Sequence, residues 1–184
     1  VQFLLGAHPE LDLARLRRGE IMMSLGEWQE AESNFRDVLS RRGKNPQALI
    51  QLAASLIAQE RLTEAEQPLN EAIKLDGNSA EGWYQRGLLY ESFGQLKGAL
   101  SDFETAAKRD RHHMNALLRI AAIHHTSGEW DAAEAAWRNV LNVEPENRIA
   151  RRRIQEAIDG QSATKKAKVL SSNMSATTVE IETS

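Results

Sequence analysis

The side chains that most readily do chemistry are scarce in this sequence, and their spacing argues against a reaction. There is no cysteine, which removes thiolate nucleophiles, disulfides and cysteine-ligated metals together. Four of the histidines form two adjacent pairs, His112 with His113 and His124 with His125. Neighbouring residues on a helix point about 100° apart and do not easily face one ion, so no metal site is expected. Paired carboxylates such as Glu64 and Glu66 fall on an expected solvated face. No phosphate-binding loop, dinucleotide fingerprint or nucleophile elbow occurs. The chain is therefore read as neither an enzyme nor a cofactor carrier. What does recur is a set of long polar side chains with N–H donors: Arg17, Gln51, Gln85 and Arg119 follow one another at intervals of 34 residues.

That interval belongs to the whole sequence. LGEWQEAESNF at residues 25–35 aligns with QERLTEAEQPL at 59–69, FGQLKGALSDF at 93–103 and SGEWDAAEAAW at 127–137. Four units follow without insertion, at 12–45, 46–79, 80–113 and 114–147. Each divides into two helices, because apolar and small residues recur at helical spacing on either side of a turn. The turns fall at Gly26, Glu60, Gly94 and Gly128. Glycine takes the left-handed conformation that ends a helix at little cost, whereas Glu60 must adopt it under strain or use another turn. In the second helices, Ala31, Ala65, Ala99 and Ala133 mark close helix approaches. Phe35, Leu69, Phe103 and Trp137 fill the space beside them.

This pattern closely resembles the tetratricopeptide repeat, whose period is also 34 residues. Trp83, Gly87, Tyr90, Gly94, Ala99, Phe103 and Ala106 match the family positions in the third unit, and Ala133, Trp137 and Pro145 do so in the fourth. Arg15 departs from the usual aromatic, and Gly43, Gly77 and Arg111 replace the usual inter-unit proline. Pro68 falls inside a helix, where it removes one hydrogen bond and is expected to produce a kink. The resemblance implies an all-α fold, a right-handed superhelix (solenoid) of stacked hairpins, with the first helix of each unit lining a concave groove for partners. Carried over by repeat position, Arg17, Gln51, Gln85 and Arg119 line that groove. They are placed to hold the backbone of an extended protein or peptide ligand while Ile50, Tyr84 and Leu88 cover its side chains. The plainer alternative is that the polar file only solubilises the inner face. Members of the family that bind chaperone C-termini use a lysine, asparagine and arginine clamp. The matching places here are largely apolar or acidic, which disfavours that role.

Outside the four units, residues 1–11 read either as the tail of a preceding hairpin, with Pro9 at the place of Pro145, or as an irregular arm. Residues 148–160 read as an amphipathic capping helix, with Ile149, Ile154 and Ile158 on its apolar side and Gly160 as its stop. Residues 161–184, rich in serine and threonine, are expected to be a disordered tail. A net charge of -3 and a pI near 6.0 provide no global attraction to nucleic acid or anionic membrane, so neither is an expected direct partner. No apolar run approaches the ~20 residues that a membrane-spanning helix needs. The expected setting is cytoplasmic, within a larger assembly or as a targeting region of a larger enzyme. The basic clusters Arg152, Arg153 and Lys165, Lys166, Lys168 read either as a bipartite nuclear-import signal or as ordinary helix-end charges.

Overall fold

The repeat turns decide where the helices stop. Gly26, Gly94 and Gly128 take φ of 80°, 70° and 70°, and Glu60, at the same repeat position, takes 59°. The glutamate therefore adopts the left-handed conformation of the glycines it replaces. The structure, a computed structural model, describes the backbone of residues 9–182 and the side chains of residues 10–168 other than Arg42. Among the described residues the chain forms α-helices and no strand. They are α1 (Pro9–Leu25), α2 (Trp28–Arg42), α3 (Pro46–Ala58), α4 (Leu62–Leu75), α5 (Ala80–Ser92), α6 (Leu96–Arg109), α7 (Met114–Thr126), α8 (Trp130–Val143) and α9 (Arg148–Glu182). Most of the segment read as the tail of an earlier hairpin lies outside the described residues. Pro9 itself opens α1.

The chain divides into two compact units, one ending at His113 and one starting at Met114, a boundary that coincides with a repeat boundary. In the first unit, α1–α2, α3–α4 and α5–α6 are antiparallel hairpins, and α2 also packs on α3 and α4 on α5. Asn45 caps α3 by accepting the Ala48 N–H at 3.0 Å, with Pro46 at the first helical position, and Ser79 caps α5 through the Gly82 N–H at 3.4 Å. Such caps satisfy donors that a helix start otherwise leaves open. Ala31, Ala65 and Ala99 are fully buried, as are Phe35, Leu69 and Phe103 four residues on. The close approaches are specific. A Cβ on Gly19 would lie 2.4 Å from the Phe35 ring, and one on Gly87 would lie 2.5 Å from the Phe103 ring.

Two polar clips tie neighbouring elements of this unit. Arg86 donates from Nε and Nη2 to the Asp102 carboxylate at 2.7 and 2.9 Å and from Nη1 to Asn70 at 2.9 Å, while its guanidinium lies over the Trp83 and Tyr90 rings. The hydrogen bond to Asp102 raises the Arg86 pKa. Trp83 is half-buried and donates to the Gly77 carbonyl at 3.0 Å, less enclosed than its repeat position suggests. Glu32 on α2 accepts from Arg36, Gln59 and Arg61 at 2.8, 3.0 and 2.6 Å. Burial works to raise its pKa, but these donors outweigh burial and hold the carboxyl below its ordinary range. Pro68 is accommodated within α4, which runs on to Leu75.

In the second unit, α7 and α8 form the fourth hairpin and α9 packs on α8. Ala133 and Trp137 are buried at the places of Ala99 and Phe103. Asn147 caps α9 by accepting the Ala150 N–H at 2.9 Å. The apolar stripe of α9 is shifted from the one expected: Ala150 and Ala157 are fully buried, whereas Ile149 is 57% exposed. The helix also does not stop at Gly160. A Cβ there would lie 2.6 Å from the Trp130 ring, so Gly160 is a packing glycine that lets α9 close on α8. Gln161 donates to Glu134 at 2.9 Å just beyond it. The described backbone then stays helical to Glu182 in place of the expected disordered tail.

Candidate functional site

The packing of a hairpin uses up most of its first helix. On α5, Gly82, Gly87 and Leu89 are buried, and Trp83, Arg86 and Tyr90 are engaged in the clip to α6. This leaves the stripe Glu81, Tyr84, Gln85 and Leu88, spaced three and four residues apart as one helix face requires. All four are half-buried. On α3 the equivalent stripe has Gln51 and Ala54 half-buried and Gln47 exposed. A long side chain that is half-buried yet outside the core is walled by neighbouring elements, which is the condition for a groove.

The structure places the sequence-derived candidates unequally. Gln51, Tyr84, Gln85 and Leu88 lie on the stripes just described. Arg17 is exposed on α1 and donates to Glu20 at 2.7 Å. Arg119 holds the same repeat position on α7 in the second unit, where it is exposed. Ile50 is a correction: it is 1% exposed, packs with Leu49 and Ala72 in the core, and its Cδ1 lies 3.4 Å from where a Gly82 Cβ would be. The absence of a side chain at Gly82 draws Ile50 inward against α5, so it is not available to a ligand.

One residue beside the α5 stripe escaped the sequence reading. His113, taken as part of a connection, turns back onto the α5 stripe and donates or accepts at Nε2 with Glu81 Oε2 at 3.3 Å, its ring 4.9 Å from that of Tyr84. Gln85 donates to the other Glu81 oxygen, Oε1, at 2.7 Å. The hydrogen bond from His113 lowers the Glu81 pKa, and the reciprocal bond to Glu81 raises that of His113. Glu81 is thus held ionised by two donors. A signal was available: positions 2 and 34 of one repeat are separated by almost one full period, which brings them back to the same edge of the hairpin.

Two further histidines meet carboxylates of their own unit. His124 Nδ1 meets Glu129 at 2.6 Å, and His125 Nε2 meets Glu156 of α9 at 3.3 Å with its ring edge-on to Trp130. Among the described residues no three His, Asp or Glu side chains gather as a metal-binding group, and no helix is long and apolar enough to cross a membrane.

Comparison with known proteins places this geometry. The family model described as Tetratricopeptide repeat matches residues 22–86 and 92–158. A TPR repeat-containing protein of Rhizobium etli is 32% identical over 106 residues, covering 58% of this chain and 52% of that protein. Among solved structures, MamA superposes with a TM-score of 0.70 at 20% identity, covering 86% of this chain and 87% of MamA. YrrB, described as a TPR protein with an unusual peptide-binding site, superposes with a TM-score of 0.61 at 21% identity over 78% of this chain and 74% of its own. At these identities the two structures show the fold, an all-α solenoid of helical hairpins. The chain spans about half the length of the curated relative, and less of two others.

Proposed function

Because the chain belongs to the tetratricopeptide repeat family, whose repeats generally mediate protein–protein contacts, we propose that it is an interaction scaffold that holds an extended segment of a partner along its first helices. The observation that carries this reading is the half-buried stripe on α3 and α5: Gln51, Ala54, Gln85 and Leu88 are walled but not consumed by the core, and Tyr84, whose ring packs on that of Phe103 at 5.7 Å, is itself only half-buried. Amide side chains one period apart supply both donors and acceptors, which an extended backbone needs along its length. Arg17 and Arg119 stand at the same repeat position on α1 and α7. The role is non-catalytic and the setting cytoplasmic, with import to the nucleus as the alternative raised by Arg152, Arg153, Lys165, Lys166 and Lys168.

The test is the double variant Gln51→Ala with Gln85→Ala. Each net hydrogen bond contributes roughly 0.5 to 1.5 kcal/mol, so affinity for a captured partner should fall from several-fold to about 150-fold. The melting temperature should stay unchanged, since neither side chain is in the core. Titration calorimetry that finds unchanged affinity in a folded double variant would move recognition to another surface. A second reading, a targeting or regulatory region within a larger enzyme or complex, is favoured by the likeness to Protein O-mannosyl-transferase TMTC3 of Homo sapiens, 27% identical over 121 residues that make up 13% of that protein.

A further inference from the structure

We propose that the α5 end of this groove is a subsite for a basic side chain, lysine or arginine, of the bound segment, with Glu81 as its acceptor and the rings of Tyr84 and His113 beside it. This rests on the groove reading above and adds the chemistry of the partner. Across α1, α3 and α5 the lining positions hold one arginine, Arg17, against three glutamates, Glu20, Glu81 and Glu91. Arg17 is already tied to Glu20 at 2.7 Å, and α3, PQALIQLAASLIA, carries no charged residue. The field along this face is therefore negative and is strongest on α5.

Glu81 is built to receive a cation rather than to complete the fold. Its two oxygens accept one hydrogen bond each, from Gln85 at 2.7 Å and at His113 at 3.3 Å. A carboxylate has about four acceptor positions, so capacity remains. Its side chain is 41% exposed while that of His113 behind it is 12% exposed, which places the carboxylate between an enclosed support and open solvent. Fixing the rotamer in advance lowers the entropic cost of binding. The half-buried Tyr84 ring, backed by that of His113 at 4.9 Å, offers apolar surface for the methylene stem that a lysine or arginine carries. Gln85 is neutral, so at high pH the negative charge of Glu81 is left for the ligand. Glu81 and Tyr84 from α5 and Asp110 from its own connection are among the groups facing His113. As pH falls through the raised His113 pKa, the imidazolium cancels the charge of Glu81 and the subsite loses its attraction.

The probe is a displayed library of random twelve-residue peptides selected on the full chain at pH 8. Selected peptides should share a lysine or arginine at one position. By calorimetry, Glu81→Gln should weaken such a peptide about ten- to hundredfold, the range for a charge-assisted hydrogen bond. The same peptide with norleucine in place of its lysine should bind wild type and Glu81→Gln alike. Lowering the pH from 8 to 5.5 should weaken the basic peptide for wild type but much less for His113→Gln. Peptides that are neutral or acidic yet lose affinity in the Gln51→Ala, Gln85→Ala variant would overturn this inference and leave the groove reading standing. Peptides indifferent to both the glutamine pair and Glu81, or no selected peptide at all, would overturn both.

Discussion

At the scale of a residue, Glu60 shows how far a local rule was legible and what it costs to break it. The 34-residue period placed a turn at this position, to be made either left-handed under strain or in another form, and the glutamate takes the left-handed form at φ 59°. The turn is fixed by the hairpin on both sides: Glu60 donates its N–H to Ile57 and Arg61 donates to Leu56, both at 2.9 Å. A non-glycine residue in this region costs roughly 1 to 2 kcal/mol, and glycine returns part of that through its freer unfolded state. Glu60→Gly should therefore stabilise the chain by about 0.5 to 1 kcal/mol and raise Tm by about 1 to 4 °C; a lower Tm in a thermal melt would show that the glutamate does more than turn the chain. Ile50 and His113 were less legible. Repeat position assigns a face, but whether a side chain leans out to the groove or back to the core depends on its neighbour, here the missing Cβ of Gly82. His113 needed the next helix face to give it a partner.

At the scale of an element, the helices meet where one of them has almost no side chain. Gly87 faces Phe103 so closely that any Cβ would enter the ring, and Phe103 is fully buried with no space to retreat. Gly87→Ala gains about 1 kcal/mol of helix propensity and incurs an overpacking penalty of up to about 3 kcal/mol. The net should be a loss of about 1 to 2 kcal/mol, read as a lower urea midpoint with unchanged m-value. A rise in the midpoint would mean that α5 and α6 separate freely. The turns and the small-against-large alternation were legible, because each is a local preference repeated four times. The continuation of α9 was not. Gly160 has the composition of a stop, and only the Trp130 ring lying over it reveals a contact instead.

At the scale of the whole molecule, stability in such an array is a sum of hairpins and nearest-neighbour interfaces, and damage stays close to where it is done. Gly160→Ala pushes a methyl into the Trp130 ring and should lift α9 from α8. Amide exchange is then expected to quicken in α8 and α9 and remain unchanged in α2, α3 and α4; uniform quickening would show one cooperative body instead. Fold class was legible at this scale, since a period is a property of the entire sequence. The charge pattern was legible only as a total. A net charge of -3 says nothing of Glu81 and Glu91 standing on one helix beside an uncharged α3, because composition records no positions.

The glycine-against-ring contacts also limit how the repeats can be recombined. The first helices carry Gly19, Ala53, Gly87 and Ala121 at one repeat position, and the second helices carry Phe35, Leu69, Phe103 and Trp137 at another. The glycines stand in the two hairpins that bring a phenylalanine, and an alanine stands with Leu69. A chimera that joined α3 to α6 would set Ala53 against Phe103 and clash, whereas α5 joined to α4 would set Gly87 against Leu69 and leave a void. Shared period and shared fold do not make these hairpins interchangeable parts. In the first three hairpins the first helix is cut to the second helix that follows it, while the fourth sets Ala121 with Trp137, so shuffling within those three must move whole hairpins rather than single helices.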